Sequence, residues 1–436
     1  MSTDIDDQTN DDTSTDTSTD TSADTGTDEA TADDQASNAG PTNDARSSDS
    51  SEERVESWCR TVTAINGVPI SPGNQLDILR NGEEIFPAML EAIDNAERSI
   101  DLLTYVYWAG EIGGVFAERL AQRARDGVRV RVLLDGVGAK PIDREMVDLM
   151  QSGGAEVRYF RPLDPRHPFR ASHRTHRKVM ICDETVGFTG GVGIADEWMG
   201  DGRSEGNWRD THVRLVGPGV AGLRSAFLDN WIETEHVLFE PAFDHFPPHA
   251  DDGDVPIQII KGTAEPGWND ISMTVRSLIE LAEDRIRLTT AYFVPDDDLV
   301  LRLCRASERG VDVQILLPGP GADKRFVQLA GEAIYDRLLD HGIKIWCYQP
   351  SMLHAKILTL DGLVTLIGSA NFNQRSTSLD EEVDIVAFHE GVTAELDADF
   401  DADLEHSEAI DPTRWRRRWI GQQVFERAAS VIKPWM

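Results

Sequence analysis

Four cysteines in 436 residues, Cys59, Cys182, Cys304 and Cys347, stand far apart without a C-x-x-C pair or metal-ligand spacing. Neither a disulfide framework nor a structural metal site is expected from them, and free thiols suit a reducing compartment. No run of about 18 apolar residues is present to span a bilayer, and the N-terminus lacks the basic stretch and apolar core of a secretory signal. A cytoplasmic protein is expected, with any membrane contact peripheral. Positive charge is scarce as well: 42 Lys and Arg face 77 Asp and Glu, for a net charge of −35. Polyanions are bound mainly through Lys and Arg, so no nucleic-acid partner is expected. The even spread of acids is read as adaptation to a high-salt cytoplasm, where screening lets like charges coexist.

Residues 1–53 contain no aromatic side chain and carry 16 acids against one Arg. Such a stretch cannot bury enough apolar surface to offset the entropy of ordering, and a disordered acidic tail is expected. The rest of the 436-residue chain is long enough to bury a sizeable core, and it is duplicated. Ser99–Tyr107 is echoed by Asp284–Phe293, Gly127–Leu134 by Gly310–Leu317, and Gly154–Tyr159 by Gly342–Tyr348. Helix-spaced apolar residues alternate with these strand-like runs: Glu83–Glu97 and Gly113–Arg125 in the first half, Ile271–Ala282, Leu299–Arg309 and Arg325–His341 in the second. The pattern predicts two similar α/β lobes, each with its own core and a mixed sheet covered on both faces. Pro241, Pro247, Pro248 and the run Asp251–Asp254 mark a linker. The expected division is a first lobe over 54–240, a linker over 241–255 and a second lobe over 256–436.

The duplication carries chemistry. His176-Arg177-Lys178 is followed by Asp183, and His354-Ala355-Lys356 by Asp361, so both halves read H-x-K-x4-D. His and Lys two apart on a strand face the same side. Two His and two Lys without a metal-ligand set suit a phosphodiester: one imidazole attacks phosphorus, the other protonates the leaving oxygen, and two ammonium groups hold the phosphoryl oxygens. No metal or other cofactor is expected. With one His and one Lys from each half, the site should lie between the lobes near a pseudo-twofold axis.

These motifs, together with Gly187-Phe188-Thr189-Gly190-Gly191, Trp208–Arg214, Ala291–Asp296 and Gly368-Ser369-Ala370-Asn371, resemble the phospholipase D superfamily, and within it the cardiolipin synthase branch. The resemblance runs from about residue 76 to the C-terminus. It implies a bilobal α/β/α sandwich with lobes related by a pseudo-twofold axis, a covalent phosphohistidine intermediate, and phosphatidyl transfer or hydrolysis on a phospholipid substrate. It also implies catalytic roles for His176, Lys178, Asp183, His354, Lys356 and Asp361, an acid in each half, Asp210 and Glu382, that orients an imidazole, and substrate contacts from Asn371, Ser369 and Gly191. His176 is expected to be the nucleophile and His354 the general acid. The chain departs from the pattern at Gly193 and Asn373, and no counterpart of the paired N-terminal membrane helices common in bacterial cardiolipin synthases is expected. A nuclease or other phosphodiesterase is the alternative, and a noncatalytic binding lobe a further one. The basic cluster Arg414–Ile420 is expected to be a terminal helix packed on a lobe, with binding to anionic lipid as the other reading.

Overall fold

The computed structural model describes residues 50–163, 172–235, 253–263 and 269–418. All but the end of the expected tail, and most of the expected linker, lie outside the described residues. In chain order the first half contains α1 (Ser51–Asn66), β1 (Ser71–Arg80), α2 (Asn81–Asn95), β2 (Ser99–Thr104), α3 (Glu111–Arg125), β3 (Arg129–Asp135), α4 (Arg144–Gly153), β4 (Glu156–Phe160), β5 (Val179–Cys182), β6 (Val186–Gly190), β7 (Thr211–Val216) and α5 (Val220–Glu235). The second contains β8 (Val255–Gly262), α6 (Asp270–Leu281), β9 (Arg285–Thr290), α7 (Asp297–Glu308), β10 (Asp312–Pro318), α8 (Arg325–Glu332), α9 (Tyr335–Asp340), β11 (Lys344–Tyr348), β12 (Lys356–Leu360), β13 (Val364–Gly368), α10 (Gln374–Ser378), β14 (Glu382–Phe388) and α11 (Glu390–Leu404), then β15 (Ser407–Ala409) and α12 (Pro412–Arg416).

The strands form a single sheet of 15, in the order β15-β11-β10-β9-β12-β13-β14-β8-β1-β7-β6-β5-β2-β3-β4. Apart from β15 the order is a palindrome about the β8–β1 seam, where Asn74 pairs antiparallel with Val255. Strands β2, β3 and β4 run parallel, as do β9, β10 and β11. The Val, Ile and Leu runs of β2, β3, β9 and β10 are buried on both faces, as parallel strands under crossover helices require. The remaining strands of each half are antiparallel neighbours.

The expectation of a separate core in each lobe needs correction. On one face of the sheet two clusters are distinct, one around Phe86, Phe116 and Trp198, the other around Leu278, Leu303 and Leu338. On the other face Phe227 and Trp231 of α5 and Leu396 of α11 belong to one cluster that also takes in Val213 and Ile385, so it spans both halves. The seam between halves is therefore core, and the halves are not independent bodies.

The N-terminal boundary also shifts. Ser50 and Glu53 form a capping box at the start of α1, and Gly67 ends that helix in a left-handed conformation, so Ser51–Glu53 are helical rather than tail. Trp58 and Val62 of α1 are buried in the second half's cluster, although the helix precedes the first half in sequence. Apolar periodicity predicts one helix over Arg325–His341, whereas the chain breaks it between α8 and α9. Gly331 lies so close to Phe293 that a Cβ there would sit 2.3 Å from the Phe293 carbonyl oxygen, and the turn that follows sets Tyr335 into the core. Trp415 of α12 packs on Tyr335 with ring centroids 5.4 Å apart, Arg416 pairs with Asp340, and Arg418 pairs with Asp336 at 3.0 Å. This is the packed terminal helix expected from the sequence; Trp419 and Ile420 lie outside the described residues. No helix among the described residues is long and apolar enough to cross a membrane.

Candidate active site

The two motif histidines precede strands β5 and β12, and each segment is held by the opposite half. Thr175 bridges in parallel to Glu381, and His176 N donates to the Glu381 carbonyl at 2.8 Å. Symmetrically, Leu353 bridges to Arg209, and His354 N donates to the Arg209 carbonyl at 2.7 Å. The carboxylates that follow these bridges therefore reach across the seam. Nδ1 of His354 lies 2.8 Å from Asp210 Oδ2, and Nδ1 of His176 lies 3.0 Å from Glu382 Oε1. Each acid thus orients the imidazole of the other half, leaving Nε2 of each ring for chemistry.

Lysine geometry repeats in the same way. Lys178 Nζ donates to the His176 carbonyl at 2.8 Å, and Lys356 Nζ donates to the His354 carbonyl while lying 3.2 Å from His354 Nε2. His176, Lys178 and His354 line one pocket of about 330 Å³. Its wall is aromatic. Tyr105 meets His176 edge-on with centroids 5.1 Å apart, Trp198 meets His354 edge-on at 5.2 Å, and Trp208 lies 5.3 Å from His354. Trp198 Nε1 also donates to Asp210 Oδ2 at 2.8 Å, so this ring both shields His354 and fixes its acid.

The two acids sit in unequal fields. Burial pushes Asp210 up, but His354, Lys356 and the Trp198 N–H outweigh it and hold the carboxyl well below the usual carboxylate range. Burial dominates at Glu382, where Lys178 and the Ser369 hydroxyl offset it only in part, and the carboxyl is pushed up to about 7. Burial, then the Lys178 and Lys356 ammonium groups, hold His176 well below its ordinary value. His354 is lowered to about 3 by burial and Lys356, against the opposing pull of Asp210. Burial also lowers Lys178 to about 8 and Lys356 to about 7. Burial at this site favours neutral imidazoles, and an arriving phosphate anion would favour the charged forms.

The structure does not bring every expected residue into this pocket. Asp183 and Asp361 occupy the β5–β6 and β12–β13 turns with positive φ of 53° and 54°, a conformation Asp tolerates. Asp183 accepts from the backbone N–H groups of Glu97, Arg98 and Ser99 at 2.8, 2.7 and 3.0 Å. Asp361 accepts from those of Glu283, Asp284 and Arg285 at 2.9, 2.9 and 2.8 Å, and from Arg54 of α1 at 2.5 Å. The motif aspartates tie each hairpin to the start of β2 or β9, and neither lines the pocket, although a catalytic role was expected of both.

Asp361→Ala is expected to destabilise the fold by about 1–3 kcal/mol, since three backbone N–H donors before and at the start of β9 and the Arg54 guanidinium lose the carboxylate they share. Denaturant unfolding measures this, together with turnover per folded molecule at low temperature. Unchanged stability with turnover abolished would return Asp361 to the chemistry.

Ser369 and Gly191 also lie behind the pocket. The Ser369 hydroxyl donates to Glu382 Oε2 at 2.6 Å, and a Cβ on Gly191 would fall 2.2 Å from Asp210 Oδ1. Both residues make room for, or brace, the acids. Asn371 is buried, and its side-chain oxygen has no partner among the described residues. The aromatic wall escapes a motif reading because Trp198 and Trp208 lie well after the motif in sequence. The signal for Trp208 was its position beside Arg209-Asp210 in a string already conspicuous.

Residues 89–212 and 275–404 match the family described as "Cardiolipin synthase, PLD-like domain". Cardiolipin synthase from Geobacillus kaustophilus (strain HTA426) is 33% identical over 86% of this chain and 75% of its own length. Cardiolipin synthase from Geobacillus sp. (strain WCH70) is 34% identical over 84% of this chain and 73% of its own length. The chain belongs to this family. Each half supplies one of its two matched domains, so the crossed His–acid pairs join the two copies. Among solved structures, phosphatidylserine synthase from Haemophilus influenzae Rd KW20 superposes with a TM-score of 0.65 over 89% of this chain and all of that one, at 13% identity. Polyphosphate kinase from Porphyromonas gingivalis gives 0.53 over 81% of this chain and 50% of that one, also at 13% identity. Likeness at that identity concerns the fold alone.

Proposed function

We propose that the protein is a phospholipase D-type phosphatidyltransferase that moves a phosphatidyl group to a glycerol-bearing lipid. The single observation that carries this reading is the convergence of two crossed imidazole–carboxylate pairs on one aromatic-walled pocket that Lys178 also lines, with Lys356 Nζ 3.2 Å from His354 Nε2, in a chain of the cardiolipin synthase family. Nε2 of His176 attacks phosphorus, the P–O bond to the leaving alcohol breaks, and that oxygen takes a proton from His354. The acceptor hydroxyl then gives its proton to His354 and attacks phosphorus, and the P–N bond breaks to regenerate neutral His176. Lys178 and Lys356 hold the phosphoryl oxygens throughout.

The unequal acids support this order of roles. Asp210, held ionised, stabilises a cation on His354, which a general acid needs. Glu382, pushed up by burial, stabilises an imidazolium on His176 less well and so favours the neutral nucleophile. The aromatic wall suits entry of a lipid headgroup from a membrane surface, with the chain contacting the bilayer peripherally. The excess of acids suits work at high salt in the cytoplasm and disfavours a nuclease.

Purified protein given phosphatidylglycerol in mixed micelles, in high salt with EDTA present, is expected to form a diphosphatidyl product and release glycerol. Chromatography and mass spectrometry of the lipids read this out. Phosphatidic acid as the sole product would make the protein a hydrolase, and turnover only after a divalent ion is restored would overturn the metal-free mechanism.

A further inference from the structure

The pocket inverts the charge of the molecule. Its wall carries Lys140, Lys178 and Lys324 against a single carboxylate, Asp323, in a chain where acids outnumber Lys and Arg by 77 to 42. Lys178 belongs to the reacting centre. Lys140 and Lys324 lie outside it, and neither pairs with a carboxylate among the described residues.

These two lysines occupy matching places in the palindrome. Lys140 is in the loop that leaves β3 for α4, and Lys324 is in the loop that leaves β10 for α8. The sequences agree too, Gly136-Val137-Gly138-Ala139-Lys140 against Gly319-Pro320-Gly321-Ala322-Asp323-Lys324. Each loop is tied to an aromatic ring of the pocket wall. Trp108 Nε1 donates to the Gly138 carbonyl at 2.9 Å, and the Tyr292 hydroxyl donates to Asp323 at 2.8 Å. That hydrogen bond occupies the one carboxylate, while Lys324 Nζ lies 5.0 Å from the Tyr292 ring centroid. The first loop is also fixed to the first motif, because Asp135 accepts from the N–H groups of Val137 and Gly138 at 2.8 and 2.9 Å and from Arg174 Nε at 3.0 Å.

We infer that Lys140 and Lys324 form a second phosphate subsite at the pocket mouth, which holds the phosphodiester of the acceptor lipid while its glycerol hydroxyl reaches the phosphohistidine. This deepens the transferase reading and rests on it. The donor phosphate is already served by Lys178 and Lys356, so hydrolysis or transfer to an uncharged alcohol leaves two further pocket-facing cations without a task. An acceptor that is itself an anionic phosphodiester gives them one, through charge-assisted hydrogen bonds at the exposed rim of the pocket. Two loops anchored to the wall present the ammonium groups at little ordering cost.

The test compares two acceptors with one donor in nonionic mixed micelles: phosphatidylglycerol, and a monoacylglycerol that offers the same hydroxyls without phosphate. In the Lys140→Gln/Lys324→Gln protein, transfer to phosphatidylglycerol is expected to fall at least about ten-fold relative to transfer to monoacylglycerol, in line with losing a charged hydrogen bond. The loss should appear mainly in KM for the acceptor, and Lys140→Arg/Lys324→Arg should restore the ratio. Equal falls for both acceptors would mean that the lysines serve the fold or general attraction to the micelle, and an unchanged ratio would mean they have no acceptor role; either overturns the subsite. Failure of the parent protein to use either acceptor would instead overturn the transferase reading itself.

Discussion

His354→Ala protein mixed with a phosphatidyl diester carrying an activated aryl leaving group is expected to accumulate a covalent phosphoryl adduct on His176. An aryl oxide departs without a proton, so the first displacement survives loss of the general acid. The second does not, because no base remains to take the acceptor's proton. Turnover of ordinary lipid should fall by roughly 10⁴-fold or more in either histidine variant, since residues that act as a unit are lost together. His176→Ala should form no adduct at all. Mass spectrometry of acid-quenched, protease-digested samples locates the phosphoryl group. An adduct on His354 in the His176→Ala protein would reverse the roles, and none in any variant or the parent would end the double displacement.

The crossed acids carry the next largest effect, and they should fail differently. Asp210→Asn places an amide beside Nδ1 of His354, where the N–H side can force the wrong tautomer, and removes the charge that stabilises an imidazolium. Catalysis by the ordinary lipid should drop by about 10³–10⁴-fold, the scale seen when a triad acid becomes its amide. With the aryl diester the burst of adduct formation should be largely spared. Glu382→Gln disturbs the nucleophile instead, so the burst itself should slow along with lipid turnover. Stopped-flow measurement of aryl oxide release, set beside lipid turnover for both variants, decides it. A spared burst in Glu382→Gln with a slowed one in Asp210→Asn would show that the acids serve the opposite roles.

Much of this was legible in the sequence because the repeated unit is chemically costly to conserve by chance: H-x-K twice, each before an apolar strand, defines both the duplication and a site between copies. The acids were legible only through family resemblance, since nothing about Asp210 or Glu382 in isolation says that each crosses to the other half. What stayed hidden was whatever depends on long-range pairing. Strand β1, Ser71–Arg80, mixes Pro, Gly, Asn, Gln and Asp with few apolar residues, and its place beside β8 is settled by the partner strand rather than by local propensity. The same holds for α1, whose Trp58 finds its cluster in the more distant half. Asp183 and Asp361 misled because a motif names residues that recur together without distinguishing those that react from those that hold a turn. Their positive φ and the Asp-Glu and Asp-Gly pairs at 183–184 and 361–362 are turn chemistry.

The crossed pairing across the β8–β1 seam sets a condition on how such a site can diversify. In a dimer of two identical single-lobe chains, any change at the acid would appear at both imidazoles at once, and nucleophile and acid could differ only through the substrate's own asymmetry. Joining the lobes in one chain lifts that constraint: Asp210 and Glu382 are free to differ, as are Gly193 and Asn371 at matching places after β6 and β13, and His212 and Asp384 two residues past each acid. Covalent linkage is thus what permits two inherited copies of one half-site to become a dedicated attacker and a dedicated proton carrier.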